Sequence, residues 1–244
     1  MKIKSFFYIA FSILISFNSI AQNKERKFKI HTLAFYNLEN LFDTINDVNK
    51  NDEASPIMEI KFNRGNIYKQ KVTNMARVIS EIGYGVTNRP PTIIGICEVE
   101  NRNVVEDLIA NEKLSKYNYG IVHYDSPDRR GIDVGLLYNK DIFEVINSNS
   151  HVLYINYNNT SNRSYTRDQL VVSGKLDGEL IHLIVNHWPS RGADETKRMA
   201  AAEVNNSIID SLRKIHNNPK IITMGDFNDD PGDPSIKVAL KTNF

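Results

Sequence analysis

The chain of 244 residues carries two kinds of hydrophobic pattern. Short runs rich in β-branched residues, bounded by Gly, Asn, Asp or Pro, predict strands. These runs are 29–37, 92–98, 132–138, 170–176, 180–187 and 220–226. Two longer stretches repeat apolar residues every three or four positions, which predicts amphipathic helices that end at Gly83 and before Pro219. Asp194 or Thr196 is the expected N-cap of the second helix.

The order of these elements favours an α/β fold in which part of the sheet structure is antiparallel. Asp177-Gly178 separates two strand patterns, which is a strong signature of a tight hairpin. Elsewhere strand and helix patterns alternate, so we expect an α/β sandwich rather than a purely doubly wound sheet. The polar stretches 44–64 and 147–162 predict surface loops, and 152–157 could form an edge strand within the second.

The first 21 residues have the pattern of a secretory signal peptide. Lys2 and Lys4 precede an apolar stretch at 6–15, and Ser19 and Ala21 provide small residues at a cleavage site. The apolar stretch is too short to span a membrane comfortably, and no cysteine follows it for a lipid anchor. We therefore predict that residues 1–21 are removed, that 22–244 form one domain, and that the protein is secreted or periplasmic without a membrane anchor.

Composition narrows the classes of function. With 41% hydrophobic and 24% charged residues, the chain has ordinary globular composition and enough length to bury a core. Cys97 is the single cysteine, which excludes an internal disulfide framework and a cysteine-based zinc site. Signal removal takes two of the 30 basic residues and leaves 29 acidic ones, so any nucleic acid contact depends on a local basic patch. We expect a monomer without a stable protein partner.

Acidic and amide residues follow several of the predicted strands at their C-terminal ends. Strand ends in layered α/β folds converge on a shared rim, where ligands bind. Oxygen donors with one imidazole suit a hard cation such as Mg²⁺ or Mn²⁺. The sequence has no ligand spacing for tetrahedral zinc, no Gly-rich phosphate loop and no Gly-x-Ser-x-Gly elbow. The strand-end residues are Asn37, Glu39, Glu98, His187, Asp226 and Asn228.

The same stretches resemble the motifs of the endonuclease/exonuclease/phosphatase superfamily. Asn37–Asp43 resembles its opening motif, and Ile96–Val99 the motif that carries the principal metal ligand. Asn186–Pro189 is similar to its histidine motif and Gly225–Asn228 to its Gly-Asp-x-Asn motif. Tyr165–Asp168 resembles the strand start with a phosphate-contacting arginine. The resemblance runs from about residue 29 to residue 234 and implies a four-layer α/β sandwich with two packed mixed sheets flanked by helices.

The resemblance also implies a role for each residue. Glu98 and Glu39, with Asn37, would hold Mg²⁺ or Mn²⁺ on a phosphate oxygen. Asp226 would position or deprotonate the attacking water, while Asn228 and His187 would donate hydrogen bonds to the phosphoryl oxygens. Arg167 would clamp a non-bridging oxygen, and Arg191 could hold a second phosphate. The implied function is that of a secreted metal-dependent phosphodiester hydrolase, with a nuclease acting on DNA or RNA as the best interpretation.

The sequence departs from the superfamily at its C-terminal end. The family pattern closes with an Asp-His pair, and no Asp-His dipeptide occurs in this sequence. We therefore interpret the chain as a fragment without its last strands, in which metal binding would persist and turnover would be weak. A lipid phosphodiesterase or phosphomonoesterase of the same superfamily is an alternative, and so is a non-catalytic phosphate-binding module. Among single residues, His187 could be a core histidine, and Asp133 could orient the site or cap a turn.

Overall fold

The computed structural model describes residues 28–156 and 162–242, and the predicted signal peptide lies outside these ranges. From His31 onward the described residues belong to one compact unit. In chain order the strands are β1 Leu33–Leu41, β2 Ile93–Val99, β3 Tyr119–His123, β4 Asp133–Asn139, β5 Phe143–His151, β6 Ile155–Asn156, β7 Arg163–Ser164, β8 Gln169–Leu176, β9 Glu179–His187 and β10 Lys220–Asp226.

The helices lie between these strands. They are α1 Pro56–Glu59, α2 Arg64–Glu81, α3 Tyr84–Thr87, α4 Arg102–Ala110 and α5 Glu195–Ile215. Shorter 3₁₀ turns cover Asp52–Ala54 and Ser115–Tyr117, and a π-helical turn covers Ser235–Ala239. No helix in the described ranges is both long enough and apolar enough to cross a membrane.

Two four-stranded mixed sheets form the centre of the fold. The first sheet has the order β1-β2-β4-β3, with β1 and β2 parallel and the other pairs antiparallel. The second sheet has the order β10-β9-β8-β5, with β10 and β9 parallel and the other pairs antiparallel. Each sheet therefore ends in one parallel pair, and the pair contributes two strand C-termini to the same edge.

Alternating side chains on the strands produce four layers. Ile93 and Cys97 of β2 pack with Leu183 and Val185 of β9 between the two sheets. Ile94 and Ile96 point the other way, against the apolar faces of α2 and α4. On the outer face of the second sheet, Val171 and Ile184 pack against Ile208 of α5. The predicted α/β sandwich, with two mixed sheets flanked by helices, is confirmed.

Local chemistry explains several element boundaries. Asp194 caps α5, since its side chain accepts a hydrogen bond from the Thr196 backbone N–H at 2.8 Å. Gly83 follows α2 in the left-handed region with φ of 70°. Asp177 and Gly178 both have positive φ, which is the backbone of a two-residue hairpin turn between β8 and β9.

The sequence pattern missed three strands, β3, β5 and β7, and three helices, α1, α3 and α4, of the described fold. The stretch 147–162 was expected to be a loop, yet residues up to His151 belong to β5. This strand pairs with β8 at the edge of the second sheet, with a register shift between Val145 and Asn147. Pairing with a buried neighbour imposes the extended backbone, although Asn and Ser are poor strand formers. Strand β3 and helix α4 had no predicted counterpart, because their patterns are short.

Candidate active site

Asn37 joins the two sheets at the rim where their parallel pairs end. Its amide Nδ2 donates to Glu98 Oε1 at 2.9 Å and to Asp226 Oδ2 at 3.1 Å. Its amide oxygen accepts from the Glu39 backbone N–H at 2.7 Å, which fixes the orientation of the amide. The two carboxylates thus converge on one donor, as expected for residues at the C-terminal ends of β2 and β10.

The backbone at this rim adopts conformations that ordinary residues rarely take. Glu39, Asn40, Glu98 and Asn228 have φ between 51° and 58°, in the left-handed region. Register shifts in the first sheet accompany the turn at Glu98 and the turn at Glu39 and Asn40. The turn also lets the Asn40 N–H donate to Glu98 Oε2 at 2.9 Å, so both oxygens of Glu98 are held. Positive φ at non-glycine residues costs free energy and is concentrated at functional sites.

His187 lies against Glu98 in a buried position. Its Nε2 is 3.6 Å from Glu98 Oε1, and its side chain is 6% exposed. Burial, followed by the positive charges of Arg167 and Arg130, lowers the pKa of His187 to about 2. The imidazole is therefore neutral at physiological pH and can donate one N–H. The buried Nδ1 has no hydrogen-bond partner among the described residues.

Two further candidate residues meet at one backbone carbonyl. Asn228 donates from Nδ2 to the carbonyl oxygen of Trp188 at 3.0 Å, and Arg167 donates from Nη2 to the same oxygen. The Trp188 N–H in turn donates to the Asp226 carbonyl at 2.9 Å. Asp226 Oδ1 accepts from the Asn228 N–H at 3.1 Å. This network places Arg167 and Asn228 next to the histidine that precedes Trp188.

The donor set suits a divalent cation. Asp226 and Glu98 bring two carboxylates to the same Asn37 amide group, and His187 lies 3.6 Å from Glu98. The Cys97 Sγ also lies within 4.8 Å of ligand atoms of His187 and Asp226. Burial and the charges of Glu98 and Asp226 raise the pKa of this thiol strongly, so it stays protonated and is a poor ligand. Oxygen donors therefore dominate, as hard divalent cations prefer.

Two predicted site residues are placed differently from the rest. The side chain of Glu39 is exposed, and its carboxylate makes no hydrogen bond to Asn37, Glu98 or Asp226 in the described structure. Arg191 donates to Asp233 Oδ2 at 2.7 Å and to the Asn228 carbonyl at 3.2 Å, and its Nη2 is 2.8 Å from Asp230 Oδ2. Its guanidinium therefore binds the acidic segment after β10.

Lys71 on α2 lies close to the site, and no motif in the sequence predicted this position. Its Nζ donates to the backbone carbonyls of Glu39 and Asn40. Burial lowers the pKa of Lys71, and the negative charges of Glu39 and Glu98 oppose that effect. This lysine holds the left-handed turn after Asn37 from the helix side. Only the packing of α2 against the first sheet brings the two together.

The profile of the Endonuclease/Exonuclease/phosphatase family matches residues 32–243 of this chain. The chain belongs to this family. The match includes every residue of the site described above, and the family is one of metal-dependent phosphoesterases. Its members typically use divalent metal ions. No curated protein matches the sequence of this chain.

Solved structures of the family share the fold at low sequence identity. A truncated TDP2 from Caenorhabditis elegans has a TM-score of 0.50 and 17% identity over 66% of this chain and 56% of its own. The human Nocturnin catalytic domain with bound sulfate has a TM-score of 0.51 and 18% identity over 68% of this chain and 60% of its own. The Bacteroides thetaiotaomicron mannosyl-6-phosphatase has a TM-score of 0.56 and 16% identity over 86% of this chain and 70% of its own. The chain thus spans little more than half the length of the TDP2 chain.

Proposed function

We propose that this protein is a secreted, Mg²⁺- or Mn²⁺-dependent phosphodiester hydrolase that acts on DNA or RNA. The observation that carries the proposal is the pair of carboxylates, Glu98 and Asp226, held together by Asn37 beside a neutral His187. Asn228 and Arg167, to which we assign contacts with the phosphate, both donate to the Trp188 carbonyl beside this pair. Membership of a phosphoesterase family supports the reaction class.

Each side chain has a part in phosphoester hydrolysis that follows from its position. Glu98 and Asp226 would hold the cation, which when bound polarises the phosphate and stabilises developing negative charge. Asp226 also accepts the proton of an attacking water or orients it. Asn228 uses one amide hydrogen on Trp188, which leaves the other for a phosphoryl oxygen. Neutral His187 donates a second hydrogen bond without changing its charge.

Metal dependence is the first test of this function. The protein is assayed with bis-p-nitrophenyl phosphate and with short DNA and RNA strands, in Mg²⁺, in Mn²⁺ and in excess chelator. We expect hydrolysis with either metal and none with chelator. Full activity in excess chelator would refute the metal-dependent mechanism. Parallel calorimetry with Mn²⁺ reports binding even where turnover is slow.

Substrate class is tested by comparing ester types at equal concentration. The nuclease proposal is supported if the protein cleaves oligonucleotides but forms little product from phosphomonoesters or from phospholipid vesicles. Activity confined to phosphomonoesters would make the protein a phosphatase, and activity confined to vesicles would make it a lipid phosphodiesterase. Metal binding without turnover on any ester would support the non-catalytic alternative.

Secretion is tested by N-terminal analysis of exported protein. The signal pattern predicts cleavage after Ala21, so that the mature chain begins with Gln22. Recovery of the protein outside the cytoplasm with Met1 intact would contradict the cleavage, and retention in the cytoplasm would contradict secretion.

A further inference from the structure

A cavity of about 280 Å³ opens beside the candidate active site and shares Arg167 with it. Four basic side chains and one acidic side chain line it, which gives the lining an excess of three positive charges. The cavity is several times larger than the roughly 30 Å³ that one water molecule occupies, so it can accept a polyatomic group. The charged lining residues are Arg129, Arg130, Arg167, Lys197 and Asp128.

Two buried residues of the lining keep polar atoms without partners. Thr166 is 5% exposed and Arg167 is 6% exposed. The hydroxyl of Thr166 and the Nε of Arg167 have no hydrogen-bond partner among the described residues. A buried donor without a partner costs about 1–3 kcal/mol, so such atoms point to a ligand that satisfies them. Both residues line the cavity, and a hydroxyl and a guanidinium N–H each suit an anionic oxygen.

The cavity communicates with the site through the segment after β9. Pro189 and Ser190 line the cavity, and Trp188 just before them accepts from both Arg167 and Asn228. Arg167 therefore belongs both to the lining of the cavity and to the hydrogen-bond network that includes Asn228.

An alternating series of aromatic and arginine side chains leads away from the cavity. Arg129 lies 5.2 Å from the ring centroid of Tyr165, which also lines the cavity. Arg163 lies 4.9 Å from the rings of both Tyr165 and Tyr154. Tyr154 is 61% exposed and Tyr165 is 43% exposed. Exposed aromatic rings and guanidinium planes next to a basic groove are the features on which unpaired bases stack.

We propose that this cavity binds a second phosphate of a single-stranded nucleic acid whose neighbouring phosphate lies in the active site, with its bases against Tyr165 and Tyr154. The inference rests on the proposed function, because it assigns the substrate class of the same site. The cavity provides, on a chain that is nearly neutral overall, the local basic patch that binding of a nucleic acid strand requires.

Binding is measured without catalysis, by fluorescence anisotropy of a labelled hexathymidylate in excess chelator. The test variant is Arg129→Gln with Lys197→Gln, and the matched control is Lys113→Gln with Lys116→Gln, which removes two charges beside a different surface cavity. We expect the test variant to bind about tenfold more weakly. The slope of the logarithm of the binding constant against the logarithm of the salt concentration should become shallower by about 0.7 for each lost phosphate contact. The control should bind like the wild-type protein.

Thr166→Val separates a binding role from a structural one. The substitution keeps the shape of the side chain and removes the unpartnered hydroxyl, so the melting temperature should not fall. We expect binding of the hexathymidylate to weaken several-fold. A lower melting temperature with unchanged binding would assign Thr166 to the fold alone and remove it from the proposed pocket.

Hydrolysis distinguishes this inference from the proposed function. The p-nitrophenyl ester of thymidine 5′-phosphate is compared with the same ester carrying a 3′-phosphate. The Arg129→Gln, Lys197→Gln variant should lose about tenfold in kcat/KM only on the doubly phosphorylated ester. The inference is overturned if the test variant loses kcat/KM equally on both esters. It is also overturned if the control variant binds the hexathymidylate as weakly as the test variant, or if the wild-type protein binds a DNA duplex as tightly as the single strand. If the wild-type protein cleaves neither ester, the proposed function fails while the binding measurement still decides the inference.

Discussion

Asn37 donates to Asp226 at 3.1 Å across 189 residues of sequence, and this hydrogen bond links the edge strands β1 and β10 of the two sheets. The same Nδ2 also donates to Glu98. Two carboxylates that would repel each other are thus held around one amide group. The two carboxylates concentrate negative charge beside this amide. An aspartate at position 37 would add a third negative charge and donate no hydrogen bond, whereas asparagine donates to both carboxylates.

Asn37→Asp should destabilise the metal-free protein. The change replaces the shared donor by a third carboxylate, which leaves Glu98 and Asp226 without a common partner. Loss of such hydrogen bonds costs about 1–3 kcal/mol, which lowers the melting temperature by roughly 2–12 °C in chelator. Added Mn²⁺ should reduce the difference in melting temperature between the variant and the wild-type protein, because the cation neutralises the extra charge. Asn74→Asp on the exposed face of α2 is the control and should melt like the wild-type protein.

Glu98→Gln should weaken metal binding and hydrolysis together. The substitution keeps the size of the side chain but removes the charge that would hold the cation. We expect Mn²⁺ affinity to fall at least about tenfold by calorimetry and the hydrolysis rate at least about a hundredfold. Glu203→Gln, on the exposed surface of α5, should leave both quantities unchanged. Retained affinity in the Glu98 variant would place the metal elsewhere.

Gly225→Ala should destabilise the rim of the second sheet. A Cβ at this position would lie 2.4 Å from the Asn186 carbonyl oxygen on the neighbouring strand β9. The backbone must shift to relieve this contact, at a cost of about 1–3 kcal/mol in the free energy of unfolding. Denaturant unfolding measures the change, with Gly232→Ala as the control, because nothing lies within 4 Å of a Cβ there. Equal stability of the two variants would show that the parallel pair can relax at no cost.

Stability should fall as the pH drops below about 6.5, in part through His182. This buried histidine has Nδ1 at 2.7 Å from Ser173 Oγ, and burial followed by the charge of His216 lowers its pKa. Below the usual histidine pKa of about 6.5 the unfolded chain binds a proton that the folded protein binds less readily, so acid favours unfolding. One such proton contributes at most about 1.4 kcal/mol per pH unit.

Comparison of the wild-type protein with a His182→Gln variant isolates the contribution of His182 to the pH dependence of stability. The free energy of unfolding is measured from pH 8 to pH 5 for the wild-type protein and for His182→Gln. The variant should show a shallower decline below about pH 6.5. Other groups remain in both proteins, including His187 with its pKa lowered to about 2 and Glu100 with its pKa raised to about 7. Parallel curves for the two proteins would rule out a role for His182.

The residues that the sequence identified best are those at the ends of regular strands. The prediction of 220–226 as a strand agrees with β10, and Asp226 at its end accepts from the same Asn37 amide as Glu98. The left-handed backbone at Glu98 was not predictable, because local sequence gives little sign of a register shift between paired strands. Lys71 was missed for a similar reason, since its contact with the turn at Glu39 depends on how α2 packs. Tertiary packing decides such positions, and single-sequence patterns do not record it.

The carbonyl oxygen of Trp188 gives the site a further thermodynamic property. Arg167 and Asn228 both donate to this one acceptor, so a movement of either side chain changes the hydrogen bonding available to the other. Their contributions to phosphate binding are therefore linked rather than independent, and the effects of substituting them should not add. An anion that drew Arg167 away from this carbonyl would leave Asn228 as the remaining donor of the two. Measured binding energies of the two single variants would then sum to a value different from that of the double variant.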